Sequence, residues 1–360
     1  MSTFGKAIPI SLFGESHQET IGITIHNLPA GVALDLNAIQ AALNRRKPKM
    51  PYHSARKELD AFSIVSGYYK DKTTGAPLTL LIQNKDIDSN AYKNDIARPG
   101  HADYTAHIKY RGHNDPRGGG HFSGRLTAPL VALGEISKQI LAHKDIVIGS
   151  FIKQIHKLKS TTLTPNKESI KNAYYSDFPV LNTKDKDTFI PLIMETKKQA
   201  DSVGGIIETH ILNLPPALGD PYFDAFESLL SHLIFSIPAV KGISFGAGFE
   251  IASMLGSEAN DPITYTKDNT VQFDKNTMGG ILGGLTTSQP VYFQTVIKPT
   301  PSIQKTQNSI HLKTPSNTTF KVEGRHDPCI VPRVTHVINA LSYYTVLELM
   351  IRNEGYSWIK

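Results

Sequence analysis

The first chemical signal in the chain is a run of glycines flanked by arginines. Residues 117–125 read Arg-Gly-Gly-Gly-His-Phe-Ser-Gly-Arg and lead into a long segment with helical periodicity. Glycine adopts positive φ readily and lets backbone N–H groups approach a ligand. A glycine-rich loop that ends at a helix N-terminus therefore predicts an anion-binding site. A flexible loop before a helix has the same pattern, so this run alone leaves both interpretations open.

Two further clusters also allow both a ligand-binding and a purely structural interpretation. Residues 279–284 read Gly-Gly-Ile-Leu-Gly-Gly, which suits a flat ligand lying on backbone and equally suits a tight turn between strands. Arg45 and Arg46 close the first predicted helix. Adjacent guanidinium groups can bind a doubly charged anion in bidentate fashion, but cations at this position also complement the negative end of the helix dipole.

Histidines in glycine-containing turns indicate proton transfer. His17, His101 and His326 each lie in such a turn, and arginine and aspartate flank the last two. Imidazole titrates near neutral pH and can give a proton to a leaving group. Asp327, next to His326, can act as a base or orient a partner. The same residue types bind metals, but no HExxH-like spacing is present, so a metal site is the weaker interpretation.

Strands and helices must bring these motifs together. Alternating and apolar runs predict strands at residues 7–13, 22–26, 62–65, 78–83, 146–152, 205–212, 243–249 and 291–297. Periodic apolar positions predict helices at residues 36–46, 123–143, 223–235 and 334–351. Asp35 is the expected N-cap of the first helix. Because strands and helices do not alternate strictly, the pattern favours an α+β architecture over a Rossmann-type fold.

The segment at residues 153–198 is polar and shows little periodicity. It could be a domain boundary or a surface excursion. Candidate motifs occur on both sides of it, and a site that draws on both ends of the chain is easiest to build in one domain. We therefore expect a single integrated domain over residues 1–360.

Composition excludes several classes of protein. The 360 residues include 38 Lys and Arg against 32 Asp and Glu, a net charge of +6, and 40% are hydrophobic, as in an ordinary globular protein. The single cysteine, Cys329, allows no internal disulfide framework and no zinc–thiolate cluster. The sequence has no visible signal peptide and no apolar run long enough for a bilayer. We expect a cytoplasmic protein with no membrane partner.

The positive charge is compatible with several kinds of partner. Lysines at residues 144–198 are interleaved with Asp and Glu, as on a solvated surface, and the arginines lie in separate glycine-rich turns. This distribution favours a small anionic substrate over nucleic acid. A basic nucleic-acid-binding protein and a metal-dependent phosphohydrolase are the alternatives to be weighed against a small-anion enzyme.

The motifs together resemble the chorismate synthase family from end to end. The blocks that carry the resemblance are Phe-Gly-Glu-Ser-His at 13–17, Arg-Arg-Lys-Pro at 45–48, Arg-Pro-Gly-His-Ala-Asp at 98–103, Arg-Gly-Gly-Gly at 117–120, Ala-Val-Lys-Gly at 239–242, Gly-Gly-Ile-Leu-Gly-Gly at 279–284, Lys-Pro-Thr at 298–300 and Gly-Arg-His-Asp-Pro-Cys at 324–329. So many specific blocks in one order argue against coincidence. The resemblance implies a β-α-β sandwich, in which antiparallel sheets enclose helices, assembled as a homotetramer.

The resemblance also implies a reaction. Members of the family are lyases that convert 5-enolpyruvylshikimate 3-phosphate to chorismate by trans-1,4 elimination of phosphate. This is the last step of the shikimate pathway, which serves aromatic amino acid biosynthesis. The family needs reduced FMN although the reaction has no net redox change. Because no separate nucleotide-binding fingerprint is present, we expect NADPH to act only indirectly, through a separate flavin reductase.

Residue roles follow from the resemblance by position. The implied catalytic residues are His17 for protonating the departing phosphate, His101 near the flavin N1 and O2 edge, and Asp327 for proton transfer through flavin N5. The implied substrate-binding residues are Ser16, Arg45, Arg46, Arg125 and Arg325. The implied flavin-binding residues are His121, Phe122, Ser123, Ala239, Gly283, Lys298, Pro299, Thr300, Pro301, Ser302 and Arg325. No metal is implied.

The chain departs from the usual family pattern at several positions. After the triple glycine the family usually reads Arg-Ser-Ser-Ala-Arg-Glu, whereas residues 121–126 here read His-Phe-Ser-Gly-Arg-Leu. Gln18 replaces a glycine, Pro301 replaces a serine and Lys47 replaces a third arginine. We expect these changes to alter the details of binding and the affinity, and to leave the reaction class unchanged.

Overall fold

The computed structural model of the protein describes residues 2–53, 59–85, 95–322 and 326–359. Its strands are β1 (Thr3–Phe4), β2 (Ile10–Gly14), β3 (Thr20–Ile25), β4 (Phe62–Ser66), β5 (Tyr68–Tyr69), β6 (Lys72–Thr73), β7 (Leu78–Gln83), β8 (Val147–Ile155), β9 (Leu158–Lys159), β10 (Gly205–Leu212), β11 (Val240–Phe245), β12 (Ile263–Tyr265), β13 (Val271–Phe273), β14 (Ile281–Leu282), β15 (Leu285–Thr286), β16 (Val291–Ile297), β17 (Gln307–Ile310) and β18 (Asn317–Phe320). Its α-helices are α1 (Leu36–Arg46), α2 (Asp103–Lys109), α3 (Thr127–Ile140), α4 (Lys167–Tyr175), α5 (Lys186–Lys198), α6 (Phe226–Phe235), α7 (Gly256–Ala259) and α8 (Val331–Glu354).

The first large sheet is antiparallel and has the strand order β1-β2-β3-β7-β4. Its inner face follows from the two-residue period of a strand. In β3, Ile21, Ile23 and Ile25 are fully buried. Each lies opposite a buried Leu or Ile of β7, and such cross-strand pairs fix the register.

The second large sheet is also antiparallel, with the order β11-β16-β10-β8-β9. A buried polar link joins it to α8. The hydroxyls of Ser150 and Thr209 lie 2.8 Å apart, and Ser150 Oγ donates a hydrogen bond of 2.8 Å to Asn339 Oδ1. Because these groups are buried, the link fixes where α8 sits on the sheet.

The helical layer lies between the two sheets. Helix α3 packs on β3 and β7 of the first sheet, α8 packs on β8 and β10 of the second, and the two helices pack on each other. Gly134 permits this close approach, since a Cβ there would lie 2.2 Å from the Cα of Ala340. Helix α8 is long and apolar enough to cross a membrane, but its apolar window is entirely buried inside the protein. The fold is thus α+β, a β-α-β sandwich, as expected.

The buried carboxylate of Glu348, on α8, binds the N-terminal segment through hydrogen bonds to its backbone. Glu348 Oε1 accepts hydrogen bonds from the backbone N–H groups of Lys6 (2.6 Å) and Ala7 (2.9 Å), and Oε2 accepts one from Ile8 (2.7 Å). The guanidinium of Arg352 lies 2.7 Å from Oε1. Burial would raise the pKa of Glu348, but the three backbone N–H groups and Arg352 hold it below the ordinary value.

Two helices lie in the segment whose sequence is polar and shows little periodicity. Residues 153–198 contain α4 and α5, which the sequence analysis did not predict. Helix α4 begins at an Asn166–Ser169 capping box and buries Ile170, Ala173 and Tyr174. Helix α5 contains Pro191, which usually interrupts a helical pattern and so conceals the helix.

Smaller corrections concern the ends of elements. The strand predicted at 243–249 is β11, which runs earlier and ends at Phe245, and a 3-10 turn follows at Gly248–Ser253. The helix predicted at 123–143 divides into a 3-10 turn at Gly124–Leu126, helix α3, and a second 3-10 turn at Leu141–Lys144. Asp35 caps α1 as predicted, since its side chain accepts a hydrogen bond of 3.1 Å from Ala38 N.

We expect the free energy of unfolding to decrease less steeply at acidic pH in the H336Q variant of α8 than in the wild type. Burial lowers the pKa of His336 from 6.5 to about 3. As the pH falls below 6.5, the unfolded chain takes up a proton that the folded chain does not, so the free energy of unfolding decreases. One such group changes it by at most about 1.4 kcal/mol per pH unit. Urea unfolding at pH 7 and pH 5 should therefore show a smaller decrease for H336Q than for the wild type.

The exposed His143 offers a matched control for this measurement. The H143Q variant should lose the same stability as the wild type between pH 7 and pH 5. An H336Q protein with the full wild-type decrease would mean that His336 is not held neutral in the folded state.

Candidate active site

A cavity of about 810 Å³ opens beside the N-terminal ends of α3 and α8. Most of its wall comes from five separate stretches, at residues 98–106, 114–130, 232–241, 298–302 and 326–337. The remaining lining residues are Ser2, Thr3, Phe4, Ile10, Leu12, Arg46, Pro48 and Asp60. The volume lies in the upper part of the range of about 300–1,000 Å³ that is usual for ligand pockets.

One end of the cavity is an arginine pole, formed by Arg46, Arg125 and Asp60. The Asp60 side chain is fully buried, and its Oδ2 lies 3.1 Å from Arg46 Nη2. Its Oδ1 accepts a short hydrogen bond from Arg125 Nη1. Thr127 Oγ1 accepts a hydrogen bond of 3.2 Å from Arg46 Nη1, and Asn84 Oδ1 accepts one of 2.9 Å from Arg125 Nε. Both guanidinium groups are therefore rigidly placed.

The charges at this pole are not balanced. Burial alone would raise the pKa of Asp60, but the two guanidinium groups hold it below the ordinary value, so Asp60 is ionised. Burial, with repulsion from Arg333 and Arg125, lowers the pKa of Arg46 to about 10, which leaves it charged at neutral pH. Arg46 Nε is buried and has no hydrogen-bond partner among the described residues. Such a donor is suited to an incoming anion.

Arg333 connects the pole to Asp327. Its Nε donates a hydrogen bond of 3.0 Å to the backbone oxygen of Arg46, and its Nη1 lies 2.5 Å from Asp327 Oδ2. Both side chains line the cavity. Arg333 belongs to the first turn of α8, so the helix that forms the core also places this ion pair.

The triple-glycine loop lines the cavity and separates it from His17. Gly118, Gly119 and Gly120 all have positive φ, of 59°, 85° and 51°. The backbone oxygen of Gly120 accepts a hydrogen bond of 3.1 Å from Ser16 N, which joins this loop to residues 14–17. A Cβ on Gly118 would lie 2.1 Å from Cε1 and Nδ1 of His17, so the imidazole packs directly on the glycine. Only glycine permits this contact.

His101 lies at another wall of the cavity and is neutral. Its Nε2 is 2.7 Å from Ser302 Oγ. Burial and the positive charge of Arg98 lower the pKa of His101 to about 3. Lys298 Nζ donates a hydrogen bond of 2.7 Å to the backbone oxygen of Gly100, which joins the loop at residues 298–302 to the loop that carries His101.

Part of the cavity suits a flat, partly apolar group. Side chains at this wall include Leu130, Leu233, Ile237 and Val337. A Cβ on Gly119 would meet nothing nearer than Ser123 Cβ at 3.8 Å, so space opens above the loop. Thr300 Oγ1 at the same cavity is buried and lacks a hydrogen-bond partner within the described ranges.

The cavity brings most of the predicted site residues together. Those that line it are His101, Asp327, Arg46, Arg125, His121, Phe122, Ser123, Ala239, Lys298, Thr300, Pro301 and Ser302. Ser16 and His17 lie directly behind Gly118. Arg325 lies outside the described residues.

Five predicted site residues do not line the cavity: Ser16 and His17, which lie behind Gly118, and Arg45, Gly283 and Pro299. Arg45 packs on the ring of Tyr174 and lies 3.5 Å from Glu135 Oε2, on another side of α1. Gly283 lies in the turn between β14 and β15. Pro299 packs near Gly204.

Sequence reasoning missed Asp60 and Arg333. Asp60 is an isolated acidic residue whose partners Arg46 and Arg125 are 14 and 65 positions away. No local sequence pattern predicts a contact between residues so far apart in the chain. Arg333 lies four residues beyond the Gly-Arg-His-Asp-Pro-Cys block, and its place in the first turn of a buried helix was the available signal.

The arrangement combines anion binding with proton transfer. The arginine pole can hold a phosphate or carboxylate, because guanidinium groups match both. Imidazole and carboxylate groups lie at the same cavity and can move protons. Among the residues that the structure describes, no three His, Cys, Asp or Glu side chains are grouped as metal ligands.

Comparisons with known proteins agree on one family. A family model for chorismate synthase matches residues 8–351. Similar curated proteins named chorismate synthase include those of Dehalococcoides mccartyi (39% identity over 98% of this chain and 97% of the relative), Thermococcus kodakarensis (38%, 98% and 98%) and Pyrococcus abyssi (40%, 96% and 97%). A crystal structure of a chorismate synthase matches with a TM-score of 0.78 and 25% identity, over 98% of this chain and 94% of that one.

Proposed function

Because the chain belongs to the chorismate synthase family, we propose that it converts 5-enolpyruvylshikimate 3-phosphate to chorismate and phosphate by trans-1,4 elimination. The family makes the protein a lyase that acts on a small molecule and uses a flavin. The observation that carries the specific reaction is the cavity itself. An arginine pole for a dianion shares it with a neutral imidazole, an ion-paired carboxylate and an apolar wall.

Reduced FMN is the proposed cofactor, and the residues present fit it. The apolar wall and the open space over Gly119 suit a flat ring, and buried Thr300 Oγ1 offers a polar contact. We assign binding to the loop at residues 298–302, to His121, Phe122 and Ser123, and to Ala239. When bound, the cofactor supplies electron density that assists C–O cleavage and recovers it afterwards, with no net redox change.

Residues of the chain bind the anionic groups of the substrate and transfer the protons. The arginine pole binds the anionic groups of the substrate and stabilises the negative charge that develops on the departing phosphate. His17, behind Gly118, gives a proton to that phosphate. His101, which is neutral and is hydrogen-bonded to Ser302, acts next to the N1 and O2 edge of the bound flavin. Asp327, oriented by Arg333, transfers a proton at flavin N5.

The setting of the enzyme is also a proposal. We place it in the cytoplasm, as one integrated domain per chain and as a homotetramer. Strongly exposed aromatic side chains that do not line the cavity, Tyr222, Phe223 and Phe249, offer apolar area for a contact between copies of the chain. A separate reductase, with NADPH as the electron source, keeps the flavin reduced.

An anaerobic turnover assay tests this function. Purified protein is mixed with 5-enolpyruvylshikimate 3-phosphate and chemically reduced FMN, and chorismate absorbance and phosphate release are followed together. We expect the two products to appear in equal amounts, and only with reduced flavin. Phosphate release without chorismate, or with a divalent metal and no flavin, would indicate a phosphohydrolase. Turnover with oxidised FMN and NADPH would show that no separate reductase is needed.

We expect the D327N substitution to lower kcat by about 10²-fold or more, the usual scale for loss of an acid–base group. The amide keeps the shape of the side chain but cannot transfer the proton. Steady-state turnover with saturating reduced FMN measures the effect. A wild-type kcat in D327N would remove Asp327 from the mechanism.

A further inference from the structure

We propose that Asp60 is the positioning residue of the arginine pole, where its buried carboxylate fixes Arg46 and Arg125 at the spacing that an anion requires. The inference rests on the proposed function for its substrate, a phosphate ester. Asp60 does not contact the reacting atoms in this account. It acts through the two guanidinium groups that do bind the substrate.

The geometry of the carboxylate carries the proposal. Each oxygen of Asp60 holds a different arginine, with Oδ2 on Arg46 and Oδ1 on Arg125. The arginines come from the end of α1 and from the segment just before α3, and Asp60 comes from a third segment, just before β4. One carboxylate therefore contacts both guanidinium groups directly, whereas Thr127 contacts only that of Arg46 and Asn84 only that of Arg125.

The backbone of Asp60 is arranged for this role. Its φ is 49°, in the left-handed region that a residue other than glycine seldom adopts. Its carbonyl oxygen accepts a hydrogen bond of 3.4 Å from Gln40 Nε2 on α1. The chain thus turns Asp60 inward and ties it to the helix that carries Arg46.

The charges indicate a ligand site. The single carboxylate of Asp60 faces three positive side chains, those of Arg46, Arg125 and the nearby Lys47. Both arginines and Asp60 line the cavity, and Lys47 does not. The group therefore keeps a positive surplus at a cavity wall, which favours the binding of an anion. The buried Arg46 Nε, which lacks a partner among the described residues, adds an unused donor.

The D60N substitution separates positioning from simple charge neutralisation, because the two roles predict opposite signs. If Asp60 only reduced the positive charge, its removal would strengthen anion binding. If it positions the arginines, removal weakens anion binding, since the amide nitrogen of Asn would face a guanidinium donor and release one arginine. We expect inorganic phosphate to bind D60N at least tenfold more weakly than it binds the wild type in isothermal titration.

Two companion variants keep the test decisive. D60E retains the charge but moves the carboxylate by one methylene, so its phosphate affinity should also fall, by a smaller factor than in D60N. D185N is the matched control, because Asp185 is a buried, hydrogen-bonded aspartate that does not line the cavity. It should bind phosphate as the wild type does. Should D60N fail to fold, the comparison of D60E with D185N decides the question.

Turnover adds a readout that a merely structural role would not produce. D60E should raise the KM for the phosphate ester several-fold and change kcat less. Phosphate affinity in folded D60N or D60E equal to or tighter than that of the wild type would overturn the proposal, as would a wild type that binds no phosphate. If the wild type forms no chorismate but phosphate affinity falls as expected, the proposed function fails and the role of Asp60 stands.

Discussion

The G118A variant should lose at least about 10²-fold in turnover, the scale of a misplacement of about 1 Å in a catalytic group. A Cβ at position 118 would lie 2.1 Å from two ring atoms of His17 and 2.7 Å from Ser16 Oγ. Ordinary contacts are more than 1 Å longer, so either the imidazole or the glycine loop must move. We expect kcat to fall while the protein stays folded.

A second glycine isolates this clash from backbone strain. Gly31 also has a positive φ, of 87°, but a Cβ there would meet nothing within 4 Å. G31A and G118A therefore share the cost of a left-handed alanine, about 1–2 kcal/mol. Only G118A should lose activity. Wild-type turnover in G118A would show that the position of His17 is unimportant for the reaction.

Replacing the carboxylate of Glu348 should cost about 3–5 kcal/mol in the free energy of unfolding, as removal of one partner from a buried charged network usually does. In E348Q, the amide nitrogen would replace one of two oxygens that accept three backbone N–H groups. At least one buried N–H would then lose its acceptor. Urea denaturation measures the loss.

Glu354 on the same helix provides the control for Glu348. It is exposed and forms a surface ion pair with Lys144, so E354Q should change the free energy of unfolding by no more than about 0.5 kcal/mol. Hydrogen exchange adds a local test, because the amides of Lys6, Ala7 and Ile8 should lose protection in E348Q. Unchanged stability and protection would show that the N-terminal segment is held by other contacts.

The elements that the sequence predicted well are those whose pattern is local. Helix α1 has the predicted bounds, since its apolar spacing is regular and Asp35 caps it. Strands β7, β10 and β16 also match, because apolar and β-branched residues alternate within them. Helices α4 and α5 were missed, because polar residues and Pro191 weaken the periodic signal.

The candidate site shows the same division between local and long-range information. Motif positions such as His101 and Asp327 were identified because each carries its own glycine-containing context, and they do line the cavity. Arg45 and Arg46 look equivalent in sequence, but successive residues on a helix point about 100° apart. Arg45 therefore contacts Tyr174 and Glu135, whereas Arg46 contacts Asp60. Such a choice depends on the tertiary fold, and so does the role of Asp60.

The central claim is that one cavity holds the flavin and the phosphate ester together. A crystal structure of the protein grown with oxidised FMN and 5-enolpyruvylshikimate 3-phosphate tests it most directly, because oxidised flavin prevents turnover. The account predicts both ligands in the 810 Å³ cavity, with an anionic group of the substrate on Arg46 and Arg125. Clear density for either ligand outside this cavity, with the arginine pole empty, would contradict it.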